Sequence, residues 1–268
     1  MSLLESIFLG IIQGLTEFLP VSSSGHLVLA QHFLGIDEPG ISFEIIVHLG
    51  SLLAVLIYFC KDIFALLASA TKVFSSKKSY QDVDNLKILG YLLVATIVTA
   101  IIGFTFKDSF EALYNIPWAV SIALFVTGLI LYFSDKIHNG QFNDYNIGWI
   151  KAIFIGIGQA LAIIPGISRS GTTIAFALFS KMKRENAARF SFLLSIPAIL
   201  GAAVLDFKDM GASEFAKMGH YTAGAFAAFI SGFLVIALLI NLIQKRKLKY
   251  FSYYCWTVSL VSLYFILF

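Results

Sequence analysis

The sequence predicts an all-α, polytopic integral membrane protein with six spanning helices plus two re-entrant broken-helix hairpins, arranged as an inverted-topology internal repeat. Three observations lead there. Of 268 residues, 58% are hydrophobic and only 13% charged, with a mean hydropathy of +0.84, whereas soluble domains carry about a quarter charged residues. Several apolar runs approach or exceed the ~18 residues that read as a membrane-crossing helix. Two of these runs are broken by proline, glycine and polar side chains, and the two resemble each other.

In chain order, Leu4 to Leu34 reads as two half-helices around a break at Pro20 and Gly25, followed by an acidic loop with Asp37 and Glu38. Ile41 to Phe59 spans, and a basic loop follows with Lys61, Lys72, Lys77, Lys78 and Lys87. Ile88 to Phe106 spans, ending at a short loop with Lys107, Asp108 and Glu111. Pro117 to Phe133 spans, and Asp135, Lys136, His138 and Asp144 make the next loop polar. Trp149 to Phe179 is the second broken segment, followed by Lys181, Lys183, Arg184 and Arg189. Phe190 to Leu205 spans, leading to an acidic loop with Asp206, Asp209 and Glu214. Tyr221 to Leu242 spans, Lys245-Arg246-Lys247 follow, and Phe251 to Phe268 is the last span.

Loop charge orients these elements. The basic loops near 61–87, 181–189 and 245–249 belong on the cytoplasmic side and the acidic ones near 35–40, 107–115 and 206–217 outside. That parity fails if both broken segments cross the membrane and holds if both are re-entrant, the first entering from outside and the second from inside. An internal repeat agrees. At an offset of 146, Ile7, Phe8, Gly10, Ile11, Gln13, Leu15, Ser22, Ser24 and Gly25 recur as Ile153, Phe154, Gly156, Ile157, Gln159, Leu161, Ser168, Ser170 and Gly171, nine identities in nineteen positions. Three spans separate the copies, so residues 1–134 and 149–268 form two repeats inverted in one membrane domain. Broken helices meeting at mid-depth are a transporter-like architecture.

Composition excludes other classes. The net charge of +3 sits in a few loops and needs no nucleic acid. Met1 to Ser6 lacks a basic region and no small-residue cleavage site follows, so no cleaved signal peptide is expected. Cys60 and Cys255 are far apart and read as small buried hydrophobes rather than metal or redox groups.

Polar groups inside the membrane are expensive and mark function. Gln13 and Glu17, four apart, share one helical face; the carboxylate reads as a ligand for a hard cation such as Mg²⁺ or Ca²⁺, as a general base, or as a buried group satisfied by the loop. Ser22-Ser23-Ser24-Gly25 opens the second half-helix, and its serines are caps or part of an anion site made by free N–H groups and the helix dipole. His26 follows within one turn and is assigned a chemical role. His32, His138 and His220 lack such company, and His48, inside an apolar run, is left open. The second copy, Pro165 to Thr173, puts Arg169 where the first has Ser23. Arg169 can pair with Glu17 or recognise phosphate with two parallel donors. Converging carboxylate, serine, histidine and arginine suit phosphoryl transfer on a lipid substrate.

At these residues the sequence resembles the bacitracin-resistance family of undecaprenyl-diphosphate phosphatases. The family's Glu/Gln-x-x-x-Glu and Pro-x-Ser-Ser-x-Gly-His motifs are matched by Gln13, Glu17, Pro20, Ser22, Ser23, Gly25 and His26. Its Pro-Gly-x-Ser-Arg-Ser-Gly motif is matched from Pro165 to Gly171, and Phe43-Glu44 opens the next helix as in the family. The resemblance implies divalent-cation-dependent hydrolysis of undecaprenyl diphosphate to the monophosphate carrier at the outer face of the bacterial inner membrane, recycling the carrier for cell-wall synthesis. Gln13 stands where many members have Glu, leaving one charged ligand fewer.

The resulting expectations are specific. Glu17 with Gln13 holds Mg²⁺ or Ca²⁺. Arg169 and the turns carrying Ser22, Ser24 and Gly25, and Ser168, Ser170, Gly171 and Thr172, bind the phosphates. Ser23 is the nucleophile with His26 as its base, or His26 itself attacks phosphorus. Partners are the polyprenyl diphosphate and membrane lipid, with a homo-oligomer left open. The rival class is a lipid flippase or transporter, disfavoured because Glu17 and His26 lie in one copy and Arg169 in the other.

Overall fold

The computed structural model describes residues 1–36, 40–137, 140–206 and 217–268, without the side chains of 40–42 and 206. Asp37, Glu38, His138, Asp209, Glu214 and the Asp206 side chain therefore lie outside the described residues. Among those described there is no strand, only an isolated bridge between Phe142 and Met182.

The first broken segment is α1 (Leu3–Phe18) and α2 (Ser23–Leu34). Ser2 and Glu5 form a capping box at the start of α1: the Ser2 hydroxyl accepts from the Glu5 N–H and the Glu5 carboxylate from the Ser2 N–H, satisfying two otherwise orphaned donors. Leu19 is extended, at ψ 140°, because a residue before proline is pushed out of the α region. Ser22, at φ +69°, caps α2 by accepting from the Gly25 N–H at 3.2 Å.

Then follow α3 (Gly40–Tyr58), α4 (Cys60–Ala70), α5 (Tyr80–Thr105), α6 (Lys107–Tyr114) and α7 (Pro117–Asp135). The second broken segment is α8 (Trp149–Leu161) and α9 (Arg169–Phe179), and the chain ends with α10 (Arg184–Asp206), α11 (Met218–Gln244) and α12 (Leu248–Leu267). Among the described residues five helices, α5, α7, α10, α11 and α12, are long and apolar enough to cross a membrane; counted together as one broken span, α3 and α4, bent by 77°, make a sixth. The expected spans all exist, with shifted edges. The basic loop after Phe59 contains α4. Helix α5 begins at Tyr80, ahead of Ile88, because Ser79 and Asp82 make a capping box. Residues near 107–115 form α6, and α10 begins at Arg184.

Both broken segments return to the side they entered from. At the base of α8–α9, the N–H groups of Gln141 and Phe142 donate to the Lys181 carbonyl at 2.7 and 3.1 Å, and the Lys183 N–H donates to the Phe142 carbonyl at 2.8 Å. On the same side, Arg189 joins Asp62 of α4 (2.7 Å) to Asp144. Arg184 donates to the Asp135 carboxylate (3.0 Å) and to the Asp135 and Ile137 carbonyls. The basic segments thus share one end of the bundle. At the other end, Met1 and Ile36, which flank α1–α2, pack with Met218 at the start of α11.

Helix α1 packs along α11 and α8 along α5, α7 pairs with α12, and α3 lies against both α11 and α10. With lipid outside and no hydrophobic drive between helices, small residues let backbones close up. A Cβ on Gly10 would meet the Gly224 carbonyl at 2.1 Å, and one on its counterpart Gly156 the Ala95 carbonyl at 2.7 Å.

Candidate functional site

The breaks of the two hairpins meet inside the protein. A Cβ on Gly25 would lie 3.0 Å from the Gly166 Cα, and one on Gly171 would lie 3.1 Å from the Pro20 Cβ. Moving Gly171 back by 146 positions and Pro20 forward by 146 gives Gly25 and Gly166, so the tips touch through equivalent positions. Thr127 of α7 fixes the second tip: its hydroxyl donates to the Gly166 carbonyl at 2.9 Å and accepts from the Ser168 N–H at 3.0 Å.

Glu17, near the end of α1 and 6% exposed, is the centre of the site. Its Oε2 accepts from the Ser23 hydroxyl at 2.6 Å and from Gln13 Nε2 at 2.9 Å. Its Oε1 accepts from Nη2 of Arg169, which comes from the opposite hairpin. His48 of α3 places Nε2 at 3.5 Å from Oε2, and Gln13 also approaches the Ser51 hydroxyl at 3.5 Å. Removing one partner of such a buried pair leaves an uncompensated charge and typically costs ~3–5 kcal/mol. Nη1 of Arg169 and Oε1 of Gln13, on the side chains that hold Glu17, are buried without a partner. Buried orphans call for a ligand or a rearrangement.

Of the residues singled out from sequence, Gln13, Glu17, Ser23 and Arg169 converge. Ser22 and Ser168 are both caps, accepting from the N–H groups of Gly25 and Gly171, and each lies 3.3 Å from the next serine but one, Ser24 and Ser170. Ser170 also donates to the Leu19 carbonyl across the tips at 3.3 Å. Thr172 is buried with its hydroxyl unpartnered.

His26 points elsewhere. Its Nδ1 lies 2.7 Å from the Ser22 carbonyl, which can only accept, so Nδ1 carries the proton; its Nε2 accepts from the Tyr254 hydroxyl at 2.8 Å. The rings stack at 5.6 Å with a 5° interplanar angle. Both nitrogens are thus engaged, and the group that takes the Ser23 hydroxyl is Glu17. The His26–Tyr254 pair lies in a cavity of about 540 Å³ between the first hairpin and α12, walled by Ile12, Leu15, Leu29, Phe33, Val258 and Val261.

Sequence reasoning did not assign His48, Ser51, Thr127 or Tyr254 to the site. His48 had one usable signal, an imidazole in an apolar run four residues after Glu44; the others had none. Among the described residues, no group of three His, Cys, Asp or Glu side chains gathers to hold a metal ion.

This architecture and site define an all-α polytopic membrane protein with a buried carboxylate, hydroxyl and guanidinium centre assembled from two re-entrant hairpins. The family model described as bacitracin resistance protein BacA matches residues 6–261, so the chain belongs to the BacA family. Similar relatives include the undecaprenyl-diphosphatase of Alkaliphilus metalliredigens, 44% identical with 99% of each chain covered. That of Methanobrevibacter smithii is 44% identical, over 97% of this chain and 96% of the relative. Undecaprenyl-diphosphatase 1 of Shouchella clausii is 40% identical, over 99% of this chain and 97% of the relative.

Proposed function

We propose that this protein is an undecaprenyl-diphosphate phosphatase that hydrolyses the lipid diphosphate to undecaprenyl phosphate and inorganic phosphate. Recycling the carrier this way serves cell-wall synthesis and bacitracin resistance. The observation that carries this reading is the Ser23 hydroxyl held at 2.6 Å on Glu17, whose other oxygen is gripped by Arg169. Ser23 Oγ attacks the terminal phosphorus while Glu17 accepts its proton. The bond from that phosphorus to the bridging oxygen breaks and lipid monophosphate leaves. Water then cleaves the phosphoserine, releasing phosphate and restoring the serine.

Arg169 needs no release from Glu17 to assist. Nη2 holds the carboxylate while the unpartnered Nη1 is offered to a phosphoryl oxygen, and a donor aimed at developing charge is worth several kcal/mol. The N–H groups that the caps leave free at the starts of α2 and α9, in the turns of Ser22, Ser24 and Gly25 and of Ser168, Ser170, Gly171 and Thr172, are offered to the same anion.

Gln13 and Glu17 fit a divalent cation, Mg²⁺ or Ca²⁺, because Gln13 Oε1 is a buried acceptor without a donor. When bound, such an ion neutralises the diphosphate and orients it. His26, through its Nδ1–H to the Ser22 carbonyl, holds the strained turn (φ +69°) that aims Ser23, and so acts as a positioning residue. The apolar cavity beside it takes the first isoprene units of the tail, Tyr254 marking its polar end.

The repeats, 1–134 and 149–268, are inverted copies; the reciprocal tip contacts support this. The protein sits in the bacterial inner membrane with the site reached from the outer face, as the loop charges support. A carrier reading accounts for the hairpins but gives the Ser23–Glu17 pair no task. The test is phosphate release from C55 diphosphate by purified protein, with and without chelator, beside Ser23→Ala. Release should stop in the variant and fall with chelator; no release with any divalent cation overturns the reading.

A further inference from the structure

We propose that His48 is a nitrogen ligand of the site's cation, beside Glu17 and Gln13, so that the site takes an imidazole-accepting ion such as Mn²⁺ in preference to Ca²⁺. This rests on the phosphatase reading above. The His48 ring is oriented by its own helix: Nδ1–H donates to the Glu44 carbonyl at 2.6 Å, which turns Nε2 toward Glu17 Oε2 at 3.5 Å. A backbone carbonyl taking the far N–H of an imidazole is the usual support of a metal-bound histidine.

Nε2 and Oε2 face each other without a direct bond, because 3.5 Å is beyond a good N–H···O contact. Ligands adjacent on a cation with bonds of ~2.1 Å are ~3.0 Å apart in octahedral and ~3.4 Å in tetrahedral geometry. The separation of Oε2 from His48 Nε2 (3.5 Å) is of this kind, and the Gln13 amide reaches the same oxygen as a hydrogen-bond donor at 2.9 Å. Gln13 joins by turning its amide half a rotation, which puts its orphaned Oε1 where Nε2 now sits; the two ends are nearly the same shape.

Arg169 occupies Glu17 Oε1, while Oε2 carries the Ser23 hydroxyl and the Gln13 amide; turning the amide leaves one lone pair of Oε2 for the ion. Carboxylate and amide oxygens alone suit Mg²⁺ and Ca²⁺, whereas adding imidazole moves preference along the series toward Mn²⁺ and beyond. Beside the single carboxylate of Glu17 and the neutral amide of Gln13, the imidazole of α3 supplies a third donor without adding charge.

Pulsed EPR on the purified full-length protein loaded with Mn²⁺ reads this directly, because a bound imidazole nitrogen modulates the electron spin echo. The wild-type protein should show ¹⁴N coupling, and His48→Gln should lose it while binding Mn²⁺ roughly tenfold or more weakly. His26→Gln should keep the coupling. Absence of ¹⁴N coupling in wild-type protein, or its survival in His48→Gln, overturns the inference. If the Mn²⁺-loaded wild-type protein releases phosphate without ¹⁴N coupling, the inference fails while the phosphatase reading stands. Failure of that reading would show instead as no phosphate release with any cation.

Discussion

Arg169 holds Glu17 from across the molecule, 152 residues away, with one guanidinium nitrogen, while the other stays buried without a partner. This pair joins the two hairpins and leaves a donor for substrate. Structural and chemical roles that looked like alternatives in the sequence are carried by two atoms of one side chain.

Arginine to lysine separates the two roles. Arg169→Lys keeps the charge and the tie to Glu17 but loses the second donor, so turnover should fall by about two to three decades, or ~3–4 kcal/mol, with little change in thermal stability. Arg169→Ala should lose both. Turnover and melting temperature measured side by side decide it, and near-normal hydrolysis by Arg169→Lys would remove the phosphate-gripping role.

Glu17→Gln keeps the shape but removes the acceptor for the Ser23 proton and the charge facing Arg169. Proton transfer to a positioned group contributes about two to four decades, so at least that loss is expected, while Gln13→Ala should be milder. Phosphate release in the presence of saturating Mg²⁺ is the measurement; ordinary turnover by Glu17→Gln would refute the assignment.

Ser23, His26 and Tyr254 should form a graded series. Ser23→Ala should lose about three decades or more. His26→Ala forfeits one buried hydrogen bond to the Ser22 turn, worth ~1–3 kcal/mol, and should lose roughly ten- to hundredfold. Tyr254→Phe should lose less than either. If His26→Ala were as inert as Ser23→Ala, His26 would have to act on the reacting groups themselves.

Sidedness can be read by labelling single cysteines with an impermeant thiol reagent on intact cells. A cysteine at Glu111 in α6 should react from outside, and one at Lys77, before α5, should not; both positions are exposed and lie beyond opposite ends of α5. The opposite pattern would invert the topology and the face from which the site is reached.

Gly166→Ala tests the seat of the second tip. Gly166 has φ +94°, and a Cβ there would meet the Val120 carbonyl at 2.3 Å. The left-handed region costs an L-residue ~1–2 kcal/mol, and the clash with backbone adds to it. The folded protein should melt several degrees lower and turn over poorly. A stability equal to wild type would show that the tip can move off α7.

Composition and local pattern already contained the membrane class, the break at Pro20 to Gly25 and its copy at Pro165 to Gly171, the re-entrance of both, and the pairing of Gln13 with Glu17 four residues on. Each depends on neighbours in sequence: apolar length sets whether a helix can lie in lipid, proline and glycine decide where it stops, and loop charge decides which side it faces. The edges of α5 and α10 shifted because a capping box at Ser79 and Asp82, and the acidic Glu185 in the first turn of α10, start each helix ahead of its apolar run.

Only the tertiary structure decided which side chains meet. Ser23 and His26 are three residues apart, ~60° round the helix axis, which is enough to send one hydroxyl inward to Glu17 and one imidazole outward to Tyr254. His48 and Ser51 enter the site because α3 seats on α11 at the close approach of Gly50 to the Ala225 carbonyl. The rotation of each helix is fixed by such contacts between small residues distant in the chain, and no local periodicity encodes them.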